Sequence, residues 1–140
     1  MRWIYILNTM ILCIKTDSPD AELYLYANDR RLIDENVWHA HRELSVTLLK
    51  AVEKLLSDNE LSLSNLQGVV VYSGPGSFTG LRIGISFSNT LAYSLGVSVV
   101  GVGGTDWLTD GLDKLGEVAG GDRLITPNYG SDARITAPRK

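Results

Sequence analysis

Residues 74–84, read GPGSFTGLRIG, set four glycines, a proline and one cation between a run of valines and a helical pattern. Backbone N–H groups at such a strand–loop–helix junction point at anions, so phosphate binding is the first chemistry to test. Neither common phosphate pattern fits. The P-loop requires Lys and Ser/Thr after its last glycine, whereas Gly80 is followed by Leu81 and Arg82. The dinucleotide pattern wants its third glycine one residue before Gly80, and no acidic residue about twenty positions on ends a second strand. The loop Gly74, Pro75, Gly76, Ser77, Phe78 and Thr79 is then either a structural turn or an anion nest helped by Arg82. Ser77 sits in no G-x-S-x-G elbow and has no assigned histidine. His39 and His41, two apart in WHAHRE, would point to one side of a strand as metal ligands do. No third ligand follows at a convincing spacing, and both read as polar residues at a helix entrance.

The elements that must position this loop follow from periodicity. Val69, Val70, Val71 and Tyr72 form a continuous β-branched run, as in a strand buried on both faces. From 79 to 95 apolar residues recur at helical spacing, with Thr79 as the N-cap. Gly80, Gly84, Ser88 and Ala92 fall four apart and leave a ridge with almost no side chain along one helix face. Glycine inside a helix is unfavourable by about 1 kcal/mol relative to alanine, so the ridge implies close contact, either with a partner's helix or with the chain's own sheet.

Upstream, residues 11–14 read as a buried central strand and 21–27 (AELYLYA) as a half-buried one, with a hairpin turn at 28–30 and a return strand over 31–37. An amphipathic helix over 42–58 turns Leu44, Leu48, Ala51, Val52 and Leu55 inward, while Leu49 and Leu56 widen its apolar arc toward a second surface. A polar connection, 61–68, leads back to the valines. Beyond Gly96, residues 97–102 read as another buried strand, and a last helix runs from a Thr105 cap to Leu115 with Gly116 ending it. The order β-β-β-α-β-α-β-α predicts an α/β lobe with a mixed five-stranded sheet and flanking helices: a meander of three strands, then two more joined by right-handed crossovers.

With 140 residues and 44% apolar composition the chain has material for one core. A net charge of −3 leaves no electrostatic footprint for nucleic acid. The single cysteine, Cys13, excludes an internal disulfide and suits a reducing compartment. Residues 1–14 begin with a cation and an apolar stretch, but no small-residue cleavage site follows and the stretch is too short to span a bilayer. A strand is the better reading, with residues 1–9 an extension ahead of it, and no membrane contact is expected.

The motif GPGSFTGLRIG resembles the signature of the TsaB (YeaZ) family, a subunit of the bacterial machinery that makes threonylcarbamoyladenosine beside the anticodon of tRNA. The resemblance runs from Met10 to Leu108, through the amino-terminal strand pair, the helix before the valines and the later VVGVGGTDWL. It implies a single ribonuclease H-like lobe of the actin-like ATPase (ASKHA) kind, here over residues 1–115. Catalysis in that architecture uses acidic residues at strand ends that hold divalent metal ions. Actin-like ATPases place an aspartate straight after the first strand, where this chain has Lys15, and Ser73 ends the valine strand. The resemblance therefore implies a non-catalytic scaffold subunit in the cytoplasm. Its implied partners are a TsaD-like catalytic subunit, which transfers the threonylcarbamoyl group, and a TsaE-like ATPase. ATP and divalent metal are expected in those subunits, no cofactor on this chain alone, and tRNA is reached only through the complex.

The expected contact is the ridge Gly80, Gly84, Ser88 and Ala92 with Leu81, Arg82 and Ile85 around it, joined by Leu48, Leu49 and Val52 of the first helix. Gly84→Leu is expected to keep the fold and block association. Without its partner the same surface would form a homodimer. Where the resembled family continues into a second lobe, residues 116–122 (GEVAGGD) read as a linker, and 123–129 resembles the family's closing segment within an extended tail, 123–140. A function of a different class stays open on the residues alone: a small nucleotide-binding or nucleotide-hydrolysing domain that uses 74–84.

Overall fold

The structure, a computed structural model, describes residues 9–76 and 78–117. Strand β1 (Met10–Lys15) is apolar at five successive positions and buried throughout them, because both of its faces are covered. It pairs antiparallel with β2 (Asp20–Ala27), and β2 pairs antiparallel with β3 (Leu32–His39). The turn between β2 and β3 closes with the Arg30 amide donating to the Ala27 carbonyl at 2.9 Å, and Arg30 takes the left-handed φ of 73° that the tight reversal needs. On the other side of β1 lie β4 (Leu66–Tyr72) and β5 (Ser98–Val102), both parallel to their inner neighbour. The sheet order is β3-β2-β1-β4-β5, the mixed five-stranded arrangement expected from the element order.

A 3-10 turn at His41–Glu43 leads into helix α1 (Leu44–Asp58); α2 (Phe78–Leu95) and α3 (Trp107–Glu117) follow. Helix α1 lies over β2 and β3, anchored by the Trp38 indole N–H donating to Thr47 Oγ1 at 3.3 Å. Helix α2 lies over β4, β5 and β1 beside it, while α3 crosses β4 and β5 on the opposite face. Strand alternation sorts the side chains between the two layers. Leu12 and Ile14 of β1, and Thr16 just after it, face α1 and α2. Cys13 and Lys15 share a face with Tyr24 of β2 and with Val70 and Tyr72 of β4, the face that α3 covers in part.

Most boundaries shift by one or two residues from the sequence reading, and α3 begins at Trp107, so Thr105 is not its N-cap; three further differences bear on the packing. Strand β4 begins at Leu66 rather than Val69, and Gly68 belongs to it because Leu115 of α3 packs where its side chain would stand. Helix α2 begins at Phe78, so Thr79 lies in its first turn and is not the N-cap. Helix α3 runs through Gly116 to Glu117, since an exposed glycine weakens a helix without stopping it. The remainder of the expected linker, the tail 123–140 and most of the extension 1–9 lie outside the described residues. Among the described residues, no helix is long and apolar enough to cross a membrane.

Candidate functional site

The motif loop is stitched to the ends of β4 and β5. The Ser73 amide donates to the Val102 carbonyl at 2.7 Å, and the Tyr72 hydroxyl donates to the Pro75 carbonyl at 2.9 Å. Gly74 has a φ of 124°, open to glycine alone, and its carbonyl lies so close to Gly103 that any Cβ there would strike it. The glycine pair of VVGVGGTDWL is thus a partner of the motif loop across the sheet end. Beside the loop, a hollow of about 240 Å³ is lined by Ser18, Pro19, Ala40, Arg42, Leu44, Thr79, Gly80 and Ile83. In it the first turn of α2 and a cation, Arg42, face a common space. Ser77 lies outside the described residues, and of Phe78 only the backbone is described.

Of the consecutive residues Lys15, Thr16 and Asp17 at the end of β1, Lys15 and Asp17 pair with each other while Thr16 turns to the opposite layer. The Lys15 ammonium donates to Asp17 Oδ1 at 2.5 Å, stands 3.9 Å from Glu22 and sits 4.6 Å above the Tyr72 ring. Tyr72 in turn meets the edge of Trp107 at 5.9 Å, and Trp107 meets Tyr24 at 6.0 Å. Tyr24 donates its hydroxyl to Glu22 at 2.7 Å, and burial, with that carboxylate beside it, pushes the phenol above its ordinary value. This ring of contacts occupies the divergence of β1 and β4, where open α/β sheets ordinarily bind ligands. Here the place is held by the chain's own cation and aromatic side chains. Asp17, two positions past the end of β1, is committed to Lys15 and packs against Gly76. His39 pairs with Asp20 at 3.0 Å, and among the described residues no three His, Cys, Asp or Glu side chains gather as metal ligands would. Of His41 only the backbone is described.

Thr16, 1% exposed, turns to the opposite layer and donates its hydroxyl to the Gly80 carbonyl at 2.7 Å. That contact decides the direction of the small-residue ridge. A Cβ on Gly84 would fall on Thr16 Oγ1, and Leu81, Ile85, Ser88 and Ala92 are all buried on the same side. The expectation that Gly80, Gly84, Ser88 and Ala92 meet a partner is therefore corrected: the ridge lets α2 settle onto the chain's own β1, and its small residues are accounted for inside the fold. Leu48 and Val52 of α1 are likewise in the core. Of the expected contact set, Arg82 and Leu49 are the members left exposed, with Gly80 half-buried.

The outward stripe of α2 is a different set, on the opposite side of the helix: Thr79, Arg82, Ser86, Thr90 and Tyr93. Tyr93 is 88% exposed, and Val46 and Leu49 of the neighbouring α1 are 62% and 44% exposed. Arg82 is the one charged residue in the eighteen of α2. Sequence reasoning missed Val46, Ser86, Thr90 and Tyr93 because the glycine ridge drew attention to the other face. The signal available was the lack of charge on what had to be the solvent side.

The family profile of tRNA N6-adenosine threonylcarbamoyltransferase (TsaD) matches residues 38–112, more than half of the chain, and spans α1, β4, the motif loop, α2, β5 and the first half of α3. The chain belongs to this family, as a homologue of TsaB. It is 35% identical over 98 residues to the tRNA threonylcarbamoyladenosine biosynthesis protein TsaB of Bacillus subtilis, an alignment covering 70% of this chain and 42% of that protein. The tRNA N6-adenosine threonylcarbamoyltransferase of Geotalea daltonii is 32% identical over 82 residues, 59% of this chain and 23% of its own length. Among solved structures, YeaZ from Pseudomonas aeruginosa superposes with a TM-score of 0.62 at 27% identity, covering 68% of this TsaB homologue and 44% of YeaZ. RuvC of T. thermophilus, in complex with a Holliday junction substrate, shares the ribonuclease H-like fold with a TM-score of 0.51 at 13% identity, covering 86% of this chain and 85% of RuvC. The chain spans about half the length of the TsaB relatives it matches.

Proposed function

We propose that this chain is a non-catalytic scaffold subunit in the synthesis of threonylcarbamoyladenosine in tRNA, and that it docks a TsaD-like catalytic subunit on the outer faces of α1 and α2. Family membership supports the pathway. The observation that carries the docking face is the outward stripe of α2, a helix of eighteen residues with one charge, with Tyr93 exposed on it and Val46 and Leu49 exposed beside it. A helix face turned to water ordinarily carries several Lys, Glu or Arg, whereas small hydroxyl residues beside apolar ones suit a second helix at close range. The absence of catalysis is supported by Lys15: its ammonium takes the strand-end position with Asp17 and Glu22, so both carboxylates neutralise an internal cation. The partner would transfer the threonylcarbamoyl group, a TsaE-like ATPase would join the assembly, and ATP and divalent metal would be held by those subunits. Contact with tRNA would come only through the complex, consistent with the chain's net charge of −3, and the assembly would work in the cytoplasm.

Co-purification with the TsaD of the same organism, followed by mass and stoichiometry determination, tests this reading. Wild-type chain is expected to form a stable complex, and Ser86→Arg, an exposed substitution, is expected to abolish it while leaving the circular dichroism spectrum unchanged. A folded, monomeric chain that meets TsaD at no concentration sinks the proposal. Nucleotide turnover by the isolated chain, lost on changing Arg42 or Arg82, would replace it with an enzyme acting at the motif loop.

A further inference from the structure

Helix α1 ends in a reversal that leaves an apolar hollow beside it. The Leu61 amide donates to the Leu56 carbonyl at 2.8 Å and the Glu60 amide to the Ser57 carbonyl at 3.0 Å, with Glu60 at a left-handed φ of 61°. This turn brings Leu61 back toward Leu56. The chain beyond it is fixed by the Ser62 amide, which donates to Asn65 Oδ1 at 2.9 Å. The resulting hollow, about 420 Å³, is lined by Leu56, Leu61 and Leu63, with Glu53, Ser62 and Ser64 also facing it. The two serine hydroxyls lie 2.9 Å apart and serve each other. We propose that residues 1–8 of the same chain fill this hollow, seating the run Trp3-Ile4-Tyr5-Ile6-Leu7 on the three leucines.

Position, composition and charge choose this occupant. The Asn28 amide donates to the Thr9 carbonyl at 3.1 Å, and Met10 pairs with Leu66, the residue that follows the turn at Leu63–Asn65. Eight residues span up to about 26–29 Å when extended, so the run reaches the hollow from there. Asn8 and Thr9 separate it from the apolar residues of β1, and short polar residues suit a change of chain direction. The other terminal segment, 118–140, leaves from the end of α3 on the opposite face of the sheet, and its longest run of large apolar residues is Leu124-Ile125. Glu53 is the one charged residue lining the hollow and joins no ion pair among the described residues. The last turn of α1 also has no basic residue to meet its carbonyl dipoles. Arg2, the one charged side chain of 1–8, supplies the opposite charge to both. The inference uses neither the docking face nor the scaffold reading.

Crosslinking in the full chain tests it. Ile4→Cys with Ser64→Cys, treated with a short bismaleimide, is expected to give a link within one chain whose yield does not change on dilution. Cys13 is fully buried and does not compete. Ile4→Cys with Asp110→Cys, on the exposed side of α3, should link roughly ten-fold less, because the effective concentration there is low. Trp3→Ser added to the first pair should cut the yield several-fold, and alone it should lower the thermal midpoint by about 3 °C or more. Links that join two chains and grow with concentration would give the hollow to a second copy and overturn the inference. A yield at Ser64 no higher than at Asp110 would overturn it, as would a Trp3→Ser variant that links as well as its parent.

Discussion

Gly84→Ala is expected to destabilise the chain even though alanine is the better helix former. The added Cβ falls on the Thr16 hydroxyl, and Thr16 cannot step aside cheaply: its Cβ and Cγ2 stand 3.3 and 3.4 Å from the same point and the residue is 1% exposed. Rotating Thr16 away breaks its hydrogen bond to the Gly80 carbonyl, 2.7 Å long in the wild type. Losing that bond costs about 0.5–1.5 kcal/mol, and leaving a buried hydroxyl unsatisfied adds about 1–3 kcal/mol. Against this, replacing a mid-helix glycine with alanine gains about 1 kcal/mol. The balance is a loss of about 0.5–3.5 kcal/mol, and Gly84→Leu should add about 1–3 kcal/mol of overpacking, a large part of the stability of a domain this size. Urea unfolding followed at 222 nm measures it. Thr16→Ala removes the obstructing oxygen, so the penalty of Gly84→Ala should shrink by about 1 kcal/mol or more in that background. Gly84→Ala as stable as wild type would refute the packing of α2 on β1 by this ridge. On this basis Gly84→Leu reports on folding, and weakened partner binding by that variant would carry no information about an interface.

Ser88, also on the inward ridge, is fully buried and its hydroxyl has no partner among the described residues, so Ser88→Ala should stabilise the chain by about 1 kcal/mol, read from the same urea midpoint. Gly103→Ala should lower the thermal midpoint by several degrees, because the obstacle is the Gly74 carbonyl and backbone cannot rotate out of the way as a side chain can. Stability should fall as pH rises past about 9. Burial holds the Cys13 thiol and the Tyr24 phenol neutral in the fold, whereas in the unfolded chain they ionise near their ordinary values of 9.0 and 10.0. The unfolded state then binds fewer protons than the folded one, and the contribution present below pH 9 is lost above it. Cys13→Ala should remove the earlier part of that alkaline decline in a pH series of urea midpoints.

The sheet was legible because its signals are local. Continuous apolar runs at 11–14 and 69–72, the alternation of 21–27 and the turn at 28–30 place four strands and the meander without any knowledge of what covers them. The direction of the glycine ridge was not legible. A period of four assigns residues to one face of a helix, but which neighbour lies there depends on Thr16, a polar residue 64 positions upstream whose hydroxyl reaches the Gly80 carbonyl. Gly68 was hidden for the same reason. Glycine and polar residues before the valines look like a connection until Leu115, from the far end of the chain, is seen to occupy the missing side chain's place. The strand-end cluster is also a product of distance: Lys15 was visible as an unsuitable metal ligand, yet its enclosure by Asp17, Glu22 and Tyr72, with Trp107 behind, joins residues from four elements.

An inward-facing glycine ridge leaves the nearly uncharged outer face of α2 to be explained. Had the glycine face been exposed, its small residues would have explained the interface and left the other face free to be an ordinary solvated one. With the ridge spent on the chain's own sheet, α2 packs inward through Leu81, Gly84, Ile85, Ser88 and Ala92, and nothing among the described residues asks Ser86 or Thr90 to be small or Tyr93 to be aromatic. A solvated face would gain from lysine and glutamate at those positions through solubility and helix propensity alone. Their absence over about four turns, next to exposed Val46 and Leu49, is what a surface looks like when it is covered in use.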